Sequence, residues 1–475
     1  MMKRIRHLFV KMFREDVYMS KLHEDFTQGS ISGHLIRFSL PYLMANLLQA
    51  LYSVADMLIV SWICGTNSMS GVNIGGQVTQ LIMMMVSGLT VGGTVLVGQY
   101  YGARQHEEVK RTIGTLLTLL TAMGIILMVV MLMLCDPLLR LLNTPAESFS
   151  EAHNYLMISL SGMPFVFWYN ALAAMQRGLG DGKRPLIFVG IACVVNVGLD
   201  MLMVGTWGMG ASGAALATVI SQSISVLLCV IYLKTHEFVF DFKLSSLRVH
   251  MDKVRMLIKI GLPSSVQSVV TNLSFLIMTT IVNGFGVTAS AAVAVCGKFN
   301  SFGIMPAIAM SSSVSSLAAQ NIGAGHYDCA QDALKVGMRI SAVIGVAVFA
   351  FTQLFPELIL KMFNAEDEVV AYGVTYLRAF SFDYLIVPFV FCINGLVLGA
   401  GHSMFSLVNN MLSAILLRVP VAYFVSKTAL GLAGVGAAAP AASLCSLCLG
   451  TWFLLSGRWR SSSTGIHREQ KGESA

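Results

Sequence analysis

"FSLPYLMANLLQALYSVADMLIVSWI", residues 38–63, is an apolar run long enough to cross a bilayer, and it carries Asp56 within it. A span needs about 20 mostly apolar residues at 1.5 Å of rise each. The rest of the chain has the same character: 55% of its 475 residues are hydrophobic, only 12% are charged, and the mean hydropathy is +0.72. Further stretches of this kind lie at 77–100, 113–135, 153–177, 185–205, 211–233, 255–283, 289–318, 336–356, 372–399, 404–426 and 432–457. They predict an all-α integral membrane protein with twelve transmembrane helices. Gly, Ala, Ser and Thr are scattered through the runs, as close helix packing in lipid requires.

The net charge of +7 could suggest nucleic acid, but its distribution argues for membrane topology. Lys3, Arg4, Arg6, Lys11, Arg14 and Lys21 precede the first span, and Arg104, Lys110 and Arg111 follow the second. Lys183 and Arg184 follow the fourth, while Lys234, Lys243, Arg248, Lys253 and Arg255 lie around the link between the sixth and seventh. The alternate loops "CGTNSMSG", "GTWGMG" and "NGFGVTAS" hold no Lys or Arg, and the longer ones add only Arg140, Lys361 and Lys427. The positive-inside rule therefore predicts a multi-pass protein of the plasma membrane with both termini in the cytoplasm. No cleavable signal is evident, because the first apolar run is too long for a signal-peptide core. Residues 1–26 alternate basic and apolar groups, which suits either a helix lying on the membrane surface or a solvated tail.

The halves of the chain repeat each other. "FSLPYLMANL" aligns with "IGLPSSVQSV", placing Pro41 over Pro263, and "VGQYYGARQHEEVKRT" aligns with "AAQNIGAGHYDCAQDA", placing Gln99 over Gln320. "GMGASGAALAT" at 208–218 resembles "GLAGVGAAAPA" at 431–441, so the offset stays at 221 to 223 residues throughout. Each half holds an even number of spans, so both have the same orientation. The expected architecture is two six-helix lobes related by a pseudo-two-fold axis along the membrane normal. The expected division is a cytoplasmic segment 1–30, a first lobe 31–233, a linker 234–254, a second lobe 255–457 and a polar tail 458–475.

Of the carboxylates, Asp56, Asp200 and Asp383 fall well inside spans, and burying each costs at least about 2.5 kcal/mol, so each needs a partner or a purpose. Asp56 lies about eight residues before the outer end of its helix, roughly 12 Å deep. In "NVGLD", Asn196 and Asp200 are four apart on one face at a similar depth. Thr218 returns to that depth beyond the "GTWGMG" turn, and Tyr52 and Gln49 share the face of Asp56. No cation accompanies this group. Two carboxylates in a low dielectric cannot both ionise cheaply, so either one holds a proton or a small cation sits between them. Oxygen ligands suit a hard ion such as Na⁺, which Asp56, Asn196, Asp200 and Thr218 would hold. The alternative is a structural cluster that keeps helices in register.

The second half differs. Asp56 aligns with Met278 and Asp200 falls near Val419, so the cluster is not duplicated. Lys298, Asp383 and Arg418 lie in the outer halves of their spans instead, with Gln267 a further candidate. The default expectation is a structural Lys298–Asp383 ion pair, and the alternative is a second proton or substrate site. Cys445 and Cys448 have no second pair, which favours apolar packing over zinc or redox chemistry. All ten histidines lie in tails, loops or span ends, which argues against a histidine proton relay across the membrane. "GLGDGKRP" at 178–185 lacks the spacing of a phosphate loop and reads as a turn. The 29 methionines suit a promiscuous pocket or simple filling between helices.

These pieces together resemble the multidrug and toxic compound extrusion family, in its prokaryotic branch. The likeness rests on "LPYLMANLLQALYSVADMLIVS", "VGQYYGA", "AAQNIGAG", "RGLGDGKRPL", "NVGLD" and "GASGAALAT", and with the duplicated layout it covers about 30–458. It implies a cation-coupled antiporter that exports small organic, often cationic, compounds by alternating access. The family's first-lobe ion network matches Tyr52, Asp56, Asn196, Asp200 and Thr218 here. There are departures. "GLPSSVQSVVTNLSF" lacks the acidic residue through which another branch couples, Ser53 replaces a usual Asn, and Asp383 is about three residues out of register with a carboxylate of that branch. The implied partners are small organic substrates and membrane lipid, with a monomeric chain, no nucleic acid, and no cofactor beyond a coupling H⁺ or Na⁺. A flippase for a lipid-linked precursor is the runner-up and would carry extra spans and several cavity cations. An enzyme is disfavoured because the spans hold no nucleophile, metal or acid–base set. A channel is disfavoured because paired lobes and a single ion site imply alternating access.

Overall fold

The computed structural model describes residues 25–236, 238–363, 366–461 and 464–466. The surface helix or tail expected for the N-terminal segment falls almost wholly on residues outside these. Helical hydrogen bonding runs unbroken over Ile31–Gly102, which as a straight rod would measure about 108 Å. The chain instead reverses, because Phe38 lies against Gly182 while Gly98 lies against Gly178, in the same turn. The two arms are α1 (Ile31–Cys64) and α2 (Ser68–Gly102).

The first lobe continues with α3 (His106–Met133), α4 (Cys135–Leu141), α5 (Ala146–Ser161), α6 (Met163–Gly178), α7 (Lys183–Asp200) and α8 (Gly210–Thr235). The second comprises α9 (Met251–Asn283), α10 (Val287–Gly303), α11 (Met305–Gly323), α12 (Tyr327–Leu354), α13 (Pro356–Met362), α14 (Asp367–Phe380), α15 (Asp383–Gly399), α16 (Ser403–Asn410), α17 (Arg418–Ser426) and α18 (Gly431–Leu455). No strand occurs among the described residues. Ten helical stretches are long and apolar enough to span, and two bent pairs, α5 with α6 at 49° and α14 with α15 at 47°, complete twelve. Every expected span has its helix. The two bends fall at equivalent places in the two lobes, around Gly162 and around Ser381–Phe382. The fifth and eleventh spans each contain a π-helical stretch, Met201–Thr206 and Met411–Leu417.

"GLGDGKRP" is indeed a turn. Asp181 accepts from the backbone N–H groups of Lys183 and Arg184 and pairs with the Arg184 guanidinium, which caps α7.

The lobes are joined at the end of the bundle that carries the first and last described residues, through a pseudo-symmetric exchange. Gln99 of α2 donates its amide to the Gly399 carbonyl of the other lobe at 2.7 Å, and Gln320 of α11 donates to the Gly178 carbonyl of the first at 2.9 Å. The side-chain oxygens of the same two residues accept from segments near the two limits of the described chain. Thr464 Oγ1 donates to Gln99 at 2.6 Å, and the Phe26 N–H donates to Gln320 at 3.0 Å. Only glycine permits so close a crossing: a Cβ on Gly102 would sit 1.9 Å from the Gln320 carbonyl oxygen, and one on Gly323 2.0 Å from that of Gln99. Deeper in the bundle α2 crosses α9 at Gly88 and Gly261, where Ser265 Oγ donates to the Met85 carbonyl. Phe26, Leu35 and Phe38 pack into the apolar core of the second lobe, so the start of α1 is itself part of the seam.

Candidate functional site

Two polar sites lie inside the bundle, one in each lobe. The first assembles from α1, α7 and α8. Asp56 is 7% exposed, Asn196 1% and Asp200 not at all. Asn196 Nδ2 donates to Thr218 Oγ1 at 3.3 Å, and Tyr52 lies beside the same Thr218 side chain. Asp56 and Asp200 are close enough to repel each other. The five residues grouped by depth in the sequence therefore do come together. Gln49 lies one turn further along, beside Tyr52 and Asn196 around a small void of about 10 Å³, the scale of one water.

Hydrogen bonding in this cluster is incomplete in one direction only. Asp56 Oδ1, Asn196 Oδ1 and both carboxylate oxygens of Asp200 are buried without a donor among the described residues. Unpaired buried acceptors are costly. A cluster that offers acceptors and lacks donors fits a proton or a hard cation bound through oxygen. Tyr155 of α5 completes the wall, 9% exposed and within electrostatic reach of Asp56, Tyr52 and Asp200. It was missed in the sequence because a phenol stands out less than a charge. Its depth, near the outer end of an inward-running span, was the signal that could have found it.

The second site is a cavity of about 530 Å³, walled mainly by second-lobe helices and closed on one side by α2 through Ser87 and Gly88. Gln267, Asp383 and Arg418 all face it, together with uncharged Asn272, Asn394 and Asn410 that a search for charges does not reveal. Asp383 sits on the first turn of α15, right after the bend, where a helix N-terminus favours a carboxylate. Ser443 of α18 lies beside it on the cavity wall. The Arg418 guanidinium lies over the ring of Phe275, 5.2 Å from its centre.

The expected Lys298–Asp383 ion pair is not formed, which corrects the default reading of these residues. Lys298 is exposed on α10 and does not face the cavity. Asn300 does, and its Oδ1 accepts from the Tyr384 hydroxyl at 3.2 Å. Two residues along a helix is a rotation of about 200°, so if Asn300 points inward Lys298 points out.

Twelve spans in two parallel repeated lobes, with polar sites inside the bundle rather than on its surface, define a secondary-transporter architecture. The chain belongs to the MatE family, whose model matches residues 41–202 and again 263–424, the second copy 222 residues after the first. The probable multidrug resistance protein YoeA of Bacillus subtilis (strain 168) is 30% identical over 420 residues, covering 87% of this chain and 91% of that protein. The probable multidrug resistance protein NorM of Thermotoga maritima is 26% identical, covering 90% and 93%. Among solved structures, a MOP superfamily transporter from Pyrococcus furiosus superposes with a TM-score of 0.85 at 24% identity, over 93% of this chain and 98% of that one. An outward-facing multidrug resistance MATE family transporter does so with the same TM-score and identity, over 92% and 98%. At that identity the structural likeness speaks to the fold.

Proposed function

We propose that this protein is a secondary active exporter that moves small organic compounds, cationic or amphipathic in character, out of the cell in exchange for H⁺ or Na⁺. The observation that carries the reading is the set of buried, donorless oxygens on Asp56, Asn196 and Asp200. An inward-moving ion that binds there relieves their cost, which couples its gradient to the state of the lobes. Tyr52 and Thr218 position the cluster, and Thr218 joins the ligands if the ion is Na⁺. The names carried by the relatives, multidrug resistance proteins, support the substrate class.

In this reading the basic end of the bundle is cytoplasmic, as are both termini, and the lobes divide at the 234–254 linker. The glutamine exchange then seals the cytoplasmic side, and the described state faces outward. The protein acts as a monomer in the plasma membrane and performs no bond chemistry. The flippase reading gains no support, because Arg418 is the one cation facing the cavity among the described residues and the spans number twelve.

The test is ethidium efflux from proteoliposomes with Na⁺ and pH gradients imposed separately, for the native chain and for Asp56→Asn. One gradient should drive flux in the native protein, and Asp56→Asn should abolish that flux while remaining monodisperse. Undiminished transport by the variant, or indifference of the native protein to both gradients, would refute the coupling.

A further inference from the structure

The second-lobe cavity holds two opposite charges that do not satisfy each other. No ion pair joins Asp383 and Arg418 within 4.0 Å among the described residues, although each feels the other's charge. Asp383 is 6% exposed and its Oδ1 has no donor. Nε and Nη1 of Arg418 are buried without an acceptor. The two side chains have different neighbours: Ser443 of α18 lies beside the carboxylate, and the face of Phe275 of α9 supports the guanidinium at 5.2 Å. A direct bridge would have relieved both groups, and the packing does not make one. What remains is a space of about 530 Å³ whose wall includes Asp383 and Arg418, each with polar atoms left unpaired, and is lined otherwise by amides, hydroxyls and apolar side chains. That volume lies in the range of small-molecule sites.

A purely cationic ligand would satisfy Asp383 and leave the buried guanidinium unmet. A purely anionic ligand would do the reverse. We propose that this cavity selects zwitterionic organic compounds, with the ligand's carboxylate accepting from Arg418 and its protonated amine donating to Asp383. Arginine suits the task because it stays charged and offers several N–H groups to one carboxylate. The proposal rests on reading the chain as an exporter and narrows its substrate class.

The experiment is equilibrium binding to the detergent-purified full chain with no gradient imposed, followed by dansyl fluorescence. Three probes share one fluorophore: Nε-dansyl-lysine, which is zwitterionic; its methyl ester, which is cationic; and its Nα-acetyl derivative, which is anionic. Work near about pH 6 keeps the ester's amine protonated. The zwitterion should bind about 10- to 100-fold more tightly than either relative, the effect of one charged hydrogen bond. Arg418→Gln should remove that advantage and bring the zwitterion to the level of the ester. The ester should still bind Arg418→Gln, no more weakly than it binds the native chain because a like charge has been removed, and that retained binding also shows that the variant is folded. Asp383→Asn should weaken the zwitterion and the ester together and spare the anion. Absence of zwitterion binding, an ester that binds the native protein equally well, or an Arg418→Gln variant with undiminished preference would each overturn the proposal. Gradient-driven ethidium efflux with no zwitterion preference would overturn the substrate class alone. Zwitterion preference without gradient-driven flux would overturn the coupling alone.

Discussion

Removing either bracing glutamine should loosen the seam between the lobes by a similar amount, and the size of the effect can be worked out from its bonds. Gln99→Met keeps the side-chain length while deleting two buried hydrogen bonds, one to the Gly399 carbonyl and one from Thr464. Gln320→Met deletes the pair to Gly178 and from Phe26. At about 1 kcal/mol net per bond, each substitution costs the joined state about 2 kcal/mol. That corresponds to roughly a 30-fold shift in the ratio of open to joined lobes. The cost falls on the joined state alone, because separated lobes hand these groups to water. Hydrogen exchange of the protein in nanodiscs reads the opening directly, at the ends of α2 and α11. Exchange at both helix ends should quicken by about 30-fold in either variant, since the exchange of bonds is reciprocal. A change confined to the substituted helix, or none at all, would refute the idea that the glutamines hold the lobes together.

Gly102→Ala and Gly323→Ala should oppose closure more strongly than either glutamine variant, because the new Cβ meets backbone, whereas Gly297→Ala adds a methyl to open space and should leave exchange unchanged. Lys253, 3% exposed, contacts Glu108, the Tyr100 hydroxyl and the Tyr100 ring across the seam. Lys253→Met should lower thermal stability by about 2–3 kcal/mol, short of the loss for a fully buried pair because Glu108 keeps partial access to water. Scanning fluorimetry would check it against a surface control. Lys298→Ala should leave thermal stability within about 0.5 kcal/mol of native, as for an ordinary surface change. A loss matching that of Asp383→Ala would restore the ion pair that the geometry rejects.

The spans were legible because a bilayer leaves the chain little choice: a backbone crossing hydrocarbon must be helical and apolar for its full thickness. Their ends were less so. The first helix begins at Ile31 rather than near 38, and α12 at Tyr327 rather than near 336, since helices continue into the polar interface where hydropathy no longer marks them. The first-lobe cluster was legible because Asp56 and Asp200 are conspicuous in lipid and the helical period places their neighbours. Lys298 misled for the complementary reason. Depth along a helix does not fix rotation about it, and the side chain falls on the far face. The glutamine exchange left only half a trace. The repeat set Gln99 over Gln320, but the partners are backbone carbonyls, Gly399 and Gly178, whose identity carries no signal in the side chains.

The distribution of symmetry in the molecule bears on how the sites communicate. The seam is built twice, with the same residue types and reciprocal bonds, as an element that opens and closes by relative motion of like lobes requires. The two polar sites are each built once, an acceptor cluster in the first lobe and a cavity of both charges in the second. One helix touches all three. Gly75 of α2 lies against Tyr155 beside the acceptor cluster, Ser87 and Gly88 close the cavity, and Gln99 makes the brace. A shift of α2 relative to α5 would therefore be felt by the acceptor cluster, the cavity wall and the seam together. On the ion-coupled reading proposed above, ion and substrate would need no contact between the two sites, which the fold keeps in separate lobes, but only a differential effect of each ligand on the position of α2.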